Sequence, residues 1–144
     1  MAEKIKILFL CTGNSCRSQM AEGWARHLKG NVLEPYSAGT VKSRLNPYAV
    51  RVMAEAGVDI SGHWSKNADE LKNVSFDWVV TVCDHANENC PYFPGEVRRK
   101  HVGFDDPPRL TEGMAGEEAK LAVYRRVRDE IKQLIKTLPE GLEK

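Results

Sequence analysis

Ile5-Lys6-Ile7-Leu8-Phe9-Leu10-Cys11-Thr12-Gly13-Asn14-Ser15-Cys16-Arg17-Ser18 runs from an apolar segment through a glycine-bearing loop into a helical pattern. Ile5, Ile7, Leu8, Phe9 and Leu10 make the short apolar run expected of a strand covered on both faces of a parallel sheet. Met20, Trp24 and Leu28 then recur at helical spacing and mark an apolar stripe. Between them, Gly13 offers backbone angles closed to other residues, and a helix start leaves unpaired N–H groups aimed at whatever stands before it. A tetrahedral oxyanion is the natural occupant of a cradle made by Thr12, Gly13, Asn14, Ser15, Cys16 and Arg17. The planar guanidinium of Arg17 can hold two oxygens at once. Cys11 stands at the loop mouth, where N–H dipoles and Arg17 are expected to favour its thiolate, and Ser18 can donate a hydrogen bond to the sulfur. The alternative is a plain strand-to-helix turn with a buried cysteine. Cys-x5-Arg alone is a weak pattern, but the strand, the loop glycine, the serine after the arginine and the helix together favour an anion-binding nucleophile.

Working outward, 144 residues with 42% hydrophobic content fit one domain with a sizeable core, spanning residues 1–144. The formal net charge of +1 gives no global reason to expect nucleic acid or an anionic membrane, so any anion preference must be local. The apolar run at 5–10 is too short to cross a bilayer and is not followed by a cleavage pattern; a cytoplasmic protein is expected. In that compartment four cysteines point to catalysis or metal binding rather than to structural disulfides.

A second strand is predicted over Val32 to Ser37, with Ser37-Ala38-Gly39-Thr40 as the turn leaving it. Asn46-Pro47 reads as a helix cap and first helical position, Ala49, Val52, Met53 and Ala56 as the buried face, and Gly57 as the end. A short helix is expected around Ala68 to Leu71. Strands are predicted over Phe76 to Val82, whose β-branched run suits a central position, and over His101 to Phe104. From Gly116 to Leu138 a long helix carries Val123, Val127, Ile131, Leu134 and Leu138 on its apolar side. Strands alternating with helices imply a three-layer α/β sandwich with a four-stranded parallel sheet.

Two further stretches carry chemistry. Cys83-Asp84-His85-Ala86-Asn87-Glu88-Asn89-Cys90-Pro91 contains two cysteines that a helical turn would hold about 10 Å apart along its axis, too far for a disulfide. Asp84, Asn87 and Asn89 are poor helix-interior residues, so converting this segment from helix to loop should cost little. A zinc site from Cys83, His85, Cys90 and His101 is a weaker alternative, because no Cys-x2-Cys or His-x3-His pair occurs; no metal is expected. Phe104-Asp105-Asp106-Pro107-Pro108 reads either as a turn or as the source of a carboxylic acid.

The string Cys11 to Gly23 resembles the phosphate loop of the low-molecular-weight protein tyrosine phosphatase superfamily, and more closely its thioredoxin-coupled arsenate reductase branch. The resemblance extends through Phe104-Asp105-Asp106-Pro107 and Val127-Arg128-Asp129-Glu130-Ile131-Lys132. It implies strand order 2-1-3-4, which would bring Cys11, after the first strand, and Cys83, after the third, to the same sheet edge. It also implies that Asp106, the one before proline, is the general acid.

The function so implied is reduction of arsenate. Cys11 attacks arsenate; Cys83 then attacks Cys11, releasing arsenite and leaving a transient Cys11–Cys83 disulfide; Cys90 takes over to give Cys83–Cys90, which thioredoxin reduces. The alternative is a phosphatase working through a phosphocysteine with Cys11, Arg17 and Asp106. Pro108 and Arg109 stand where the phosphatases carry tyrosines, which favours a small inorganic substrate. Some relatives bind potassium through residues matching Asn14, Glu22 and Ser37. Here Lys66 could supply an ammonium in its place, and no bound cation or cofactor is expected. A monomer is expected, with thioredoxin as its external reductant.

Overall fold

The computed structural model describes residues 3–84, 93 and 95–143. Four strands, β1 (Ile5–Cys11), β2 (Leu33–Gly39), β3 (Trp78–Thr81) and β4 (Arg98–His101), form one parallel sheet in the order β2-β1-β3-β4, as the resemblance implied. Ile7, Leu8, Phe9 and Leu10 are all 0% exposed. Because successive strand residues point to opposite faces, both faces of β1 are covered, and this is why its sequence is a continuous apolar run.

The helices are α1 (Arg17–Lys29), α2 (Pro47–Glu55), the single turn α3 (Pro107–Leu110) and α4 (Glu117–Lys136), with short 3-10 turns at Ala68–Leu71 and Glu140–Glu143. Asn46 caps α2 as predicted: its Oδ1 accepts from the N–H groups of Tyr48 and Ala49 at 2.8 and 3.2 Å, and Gly57 beyond the end has φ +85°.

Several boundaries differ from the sequence expectation. The predicted turn at Ser37–Thr40 belongs largely to β2, which continues to Gly39 because it pairs with β1 as far as Cys11. The fourth strand lies at Arg98–His101 rather than His101–Phe104. It is an edge strand of mostly exposed charged residues, so no apolar alternation marks it. The chain still bonds onto the sheet past its end, Val102 N–H to Thr81 O at 2.9 Å and Phe104 N–H to Val82 O at 3.1 Å, which explains the apolar signal there. On α4 the buried side is Leu121, Tyr124, Val127, Ile131 and Ile135, shifted from the predicted Val123 and Leu134. The Tyr124 hydroxyl accepts from Asn46 Nδ2 at 3.1 Å, and this polar tip is what the apolar count overlooked. α3, after Asp106, and the terminal 3-10 turn had no periodic signal. The helix predicted over 84–89 lies, beyond Asp84, outside the described residues, and so does Cys90.

Candidate active site

Register sets the site. Cys11 pairs with Gly39 and Leu10 with Thr81, so β1 and β3 end at the same level and the chain after each emerges at the same carboxyl edge.

The loop after β1 is held by its carbonyls. Cys11 O accepts from Thr40 N–H at 3.1 Å, Thr12 O from Val41 N–H at 3.0 Å and Ser15 O from Asn46 N–H at 3.0 Å. Gly13 O accepts from Ser65 Oγ at 2.8 Å, and Asn14 O from Gln19 Nε2 at 3.1 Å. In a planar trans peptide the following N–H points away from the C=O, so the amides of residues 12–16 face the opposite way, the arrangement of an anion cradle. Cys16, at the cap position of α1, makes no side-chain capping bond to the first helical turn. Gly39 permits the close approach: a Cβ there would sit 2.6 Å from both Thr12 O and Val41 O.

The left-handed residue in the loop is Asn14, φ +48°, and not Gly13 as its residue type had suggested. Asparagine tolerates this conformation when its side chain is bonded locally. Asn14 is 0% exposed; its Oδ1 accepts from Lys66 N–H at 2.8 Å and Gln19 Nε2 at 3.0 Å. Its Nδ2 donates to Ser18 Oγ at 2.8 Å. With its oxygen already accepting from Asn14, the Ser18 hydroxyl is free to donate its own hydrogen to Cys11 Sγ, 2.8 Å away, as expected from the sequence.

The expected bias toward a Cys11 thiolate is corrected in direction. Burial is the largest influence and pushes the Cys11 thiol up; the Ser18 hydroxyl and backbone and the Arg17 charge pull it back, and Cys83 adds a smaller upward push. Burial likewise raises the Cys16 thiol.

Arg17 lies across the loop. Its Nη1 donates to Phe104 O at 3.1 Å and its Nη2 stands 3.6 Å from Asp106 Oδ2. The two adjacent acids therefore separate: Asp106 faces Arg17, whereas Asp105 turns out to accept from Arg126 Nη2 at 2.9 Å. Cys83 is buried, and its Sγ lies 3.3 Å from Thr12 Oγ1, on the residue immediately after Cys11. The Cys83 thiol opens into a cavity of about 500 Å³ that Thr12, Arg17, Asp84, Asp106 and Arg109 also line. An adjoining cavity of about 240 Å³ holds Cys11, Gly13, Ser15 and Cys16 and shares Thr12, Arg17 and Asp106. Of the zinc alternative's four residues, His85 and Cys90 lie outside the described residues. Among the described residues no cluster of metal-ligating side chains occurs, and no helix is long and apolar enough to cross a membrane.

Behind the loop, Glu22 accepts from Ser37 Oγ at 2.6 Å and from Arg26 Nη2 at 2.8 Å. The ammonium of Lys66 donates to Trp64 O at 3.1 Å and lies over the Trp64 ring, close enough for the Glu22 charge to act on it, while Arg26 forms the direct ion pair with Glu22. Gln19 was missed. It is 0% exposed and its Nε2 also donates to Trp64 O at 2.9 Å. Its signal was a polar residue beside Met20 on a face that must be buried.

Residues 6–144 match the family model of the low molecular weight phosphotyrosine protein phosphatase. An arsenate reductase of Halalkalibacterium halodurans is 51% identical over 134 residues, covering 93% of this chain and 94% of that protein. A solved arsenate reductase in the oxidized state superposes with a TM-score of 0.76 at 31% identity, covering 95% of this chain and 98% of the other. Another, in the phosphate binding state, gives a TM-score of 0.68 at 28% identity over 96% and 98% of the two chains. With the loop, the sheet order and nearly the whole length in agreement, the chain belongs to the low molecular weight phosphotyrosine protein phosphatase family.

Proposed function

We propose that the protein is a thioredoxin-coupled arsenate reductase. The observation that carries this reading is the placement of a second buried thiol, Cys83, against Thr12, next to the nucleophile Cys11 in the oxyanion loop. Two similar arsenate reductases, one in a phosphate binding state and one in an oxidized state, support a site that takes tetrahedral oxyanions and does redox chemistry.

The Cys11 sulfur attacks arsenic, forming a sulfur–arsenic bond while one oxygen, protonated by Asp106, departs as water. The loop amides and Arg17 hold the remaining oxygens. Cys83 then attacks Cys11 Sγ: a sulfur–sulfur bond forms, the sulfur–arsenic pair passes to arsenic, and arsenite leaves with arsenic reduced from the pentavalent to the trivalent state. Cys90 attacks Cys83, frees Cys11 and leaves Cys83–Cys90, which the thioredoxin dithiol reduces.

Arsenite release with thioredoxin, thioredoxin reductase and NADPH tests the scheme. Cys90→Ser is expected to give one turnover and stall, and Cys83→Ser to give none; single-turnover release surviving Cys83→Ser would overturn the order. The phosphatase reading draws on the same Cys11, Arg17 and Asp106. It would win if aryl phosphate hydrolysis, independent of Cys83, far exceeded arsenite release.

A further inference from the structure

Beside Cys83 stands a polar pair that the relay does not use. His101 closes β4 and lies opposite Thr81 in the register. Its Nδ1 is 2.8 Å from Thr81 Oγ1 and its Nε2 is 3.0 Å from Asp84 Oδ1. A ring protonated at Nε2 serves both contacts, accepting from the threonine hydroxyl and donating to the carboxylate. Asp84 is the residue directly after Cys83, and its side chain is 90% exposed against 30% for His101. Packing therefore does little to hold Asp84, and the hydrogen bond to His101 ties it to the sheet. Gly103 keeps the space open, since a Cβ there would come within 3.3 Å of His101 Nε2 and 3.6 Å of Asp84 Oδ1.

The chain on either side of Cys83 is thus secured differently. Before it, Val82, one residue past β3, donates its N–H to Leu10 O at 2.9 Å and so is bonded to β1. After it, the Asp84 carboxylate is held by the end of β4. We propose that His101 is a positioning residue for the second thiol: through Asp84 it fixes the backbone that carries Cys83 and so aims that sulfur at Cys11. This rests on the relay reading above. The step affected is the attack of the Cys83 thiolate on Cys11 Sγ, in which the new disulfide forms as the sulfur–arsenic bond breaks and its electron pair leaves with arsenite. Such a displacement needs the incoming sulfur in line with the bond that breaks, and small misplacements of reacting atoms are costly in rate.

The test is arsenite release in a single turnover, with reduced enzyme in excess and no thioredoxin, for Asp84→Ala, His101→Ala, the double variant and His101→Gln. Each alanine variant is expected to slow release about tenfold, as for a lost hydrogen bond to a charged group. The double variant should be no slower than about twice the worse single one, because both remove the same contact. The Gln variant, whose amide nitrogen can reach where Nε2 stands, should restore the rate to within about threefold. Protection of Cys11 by inorganic phosphate against iodoacetate should be unchanged in all four. A His101→Ala enzyme at wild-type rate, additive slowing in the double variant, or lost phosphate protection would each overturn the role. Cys83→Ser run alongside separates the two claims. If it leaves single-turnover release intact, the relay reading itself falls. If it abolishes release while His101→Ala is unaffected, only the positioning role falls.

Discussion

The two ends of the proposed thiol exchange are built from opposite materials. Around Cys11, the side chains that brace the loop are enclosed: Asn14, Ser18 and Gln19 are 0% exposed, and each bonds to another member of the loop or the helix behind it. Around Cys83, the sulfur is buried against Thr12, but the next residue, Asp84, is almost fully exposed and pairs with His101 on the edge strand β4, whose residues are mostly exposed. A cradle for a small anion must hold its donors fixed before the anion arrives, because reorganisation would cost the stabilisation they provide. A thiol that must turn from one disulfide partner to another is better placed where buried chain gives way to exposed, as it does from Cys83 to Asp84, because exposed chain opens at lower free-energy cost.

Substitutions can break or sharpen this contrast. The largest effect is expected at Arg17: Arg17→Ala should lower arsenite release by about 10³-fold, the cost of removing a main oxyanion-stabilising group, with a steady-state assay as the check. Asn14→Ala should follow. It takes the acceptor from Lys66 N–H and the donor from Ser18 Oγ, and leaves a residue without a stabilising side chain at φ +48°, for a loss of about 3 kcal/mol in urea unfolding. Ser18→Ala removes the hydrogen bond that opposes the upward push of burial on the Cys11 thiol, so iodoacetate alkylation at neutral pH should slow by about tenfold. On the other side of the sheet, Arg98→Ala loses an exposed ion pair with Glu143 and should change stability by less than about 1 kcal/mol. An Arg98→Ala cost equal to that of Asn14→Ala would erase the distinction between the two regions.

A last and smaller effect is on pH dependence. Burial holds the His63 ring below its ordinary value of 6.5; Glu22 and Asp59 oppose this, while Lys66 and Arg26 reinforce it. The unfolded chain therefore takes up a proton near 6.5 that the folded chain refuses, so this stabilisation is present above that value and is lost as the pH falls below it. His63→Gln should flatten the decline in unfolding free energy between about pH 7 and pH 5. An unchanged slope would place the acid sensitivity elsewhere.

The loop was legible because its chemistry is local in sequence. Cys11, Arg17 and Ser18 follow one apolar strand and open one helix, and the backbone between them can do little but curl around an anion. Its fine structure was less legible. Glycine was assigned the left-handed position that asparagine occupies, since only contacts from distant Lys66 and from Gln19 make that side chain worth more than conformational freedom. Asp105 and Asp106 were told apart only by the proline that follows Asp106 and by the resemblance, not by residue type. They differ because Arg126, on a helix some twenty positions onward, takes one of them.

From its residues alone this chain fixed an apolar first strand, an anion-cradling loop with a cysteine, the Asn46 cap of α2 and alternation of strand with helix, because each depends on neighbours within a few positions. What only the folded chain decided is which distant groups meet: Cys83 against Thr12, Asp106 against Arg17, His101 against Asp84. Those meetings follow from the parallel register of β1, β3 and β4, and register is a property of hydrogen bonds between strands that no single stretch of sequence contains.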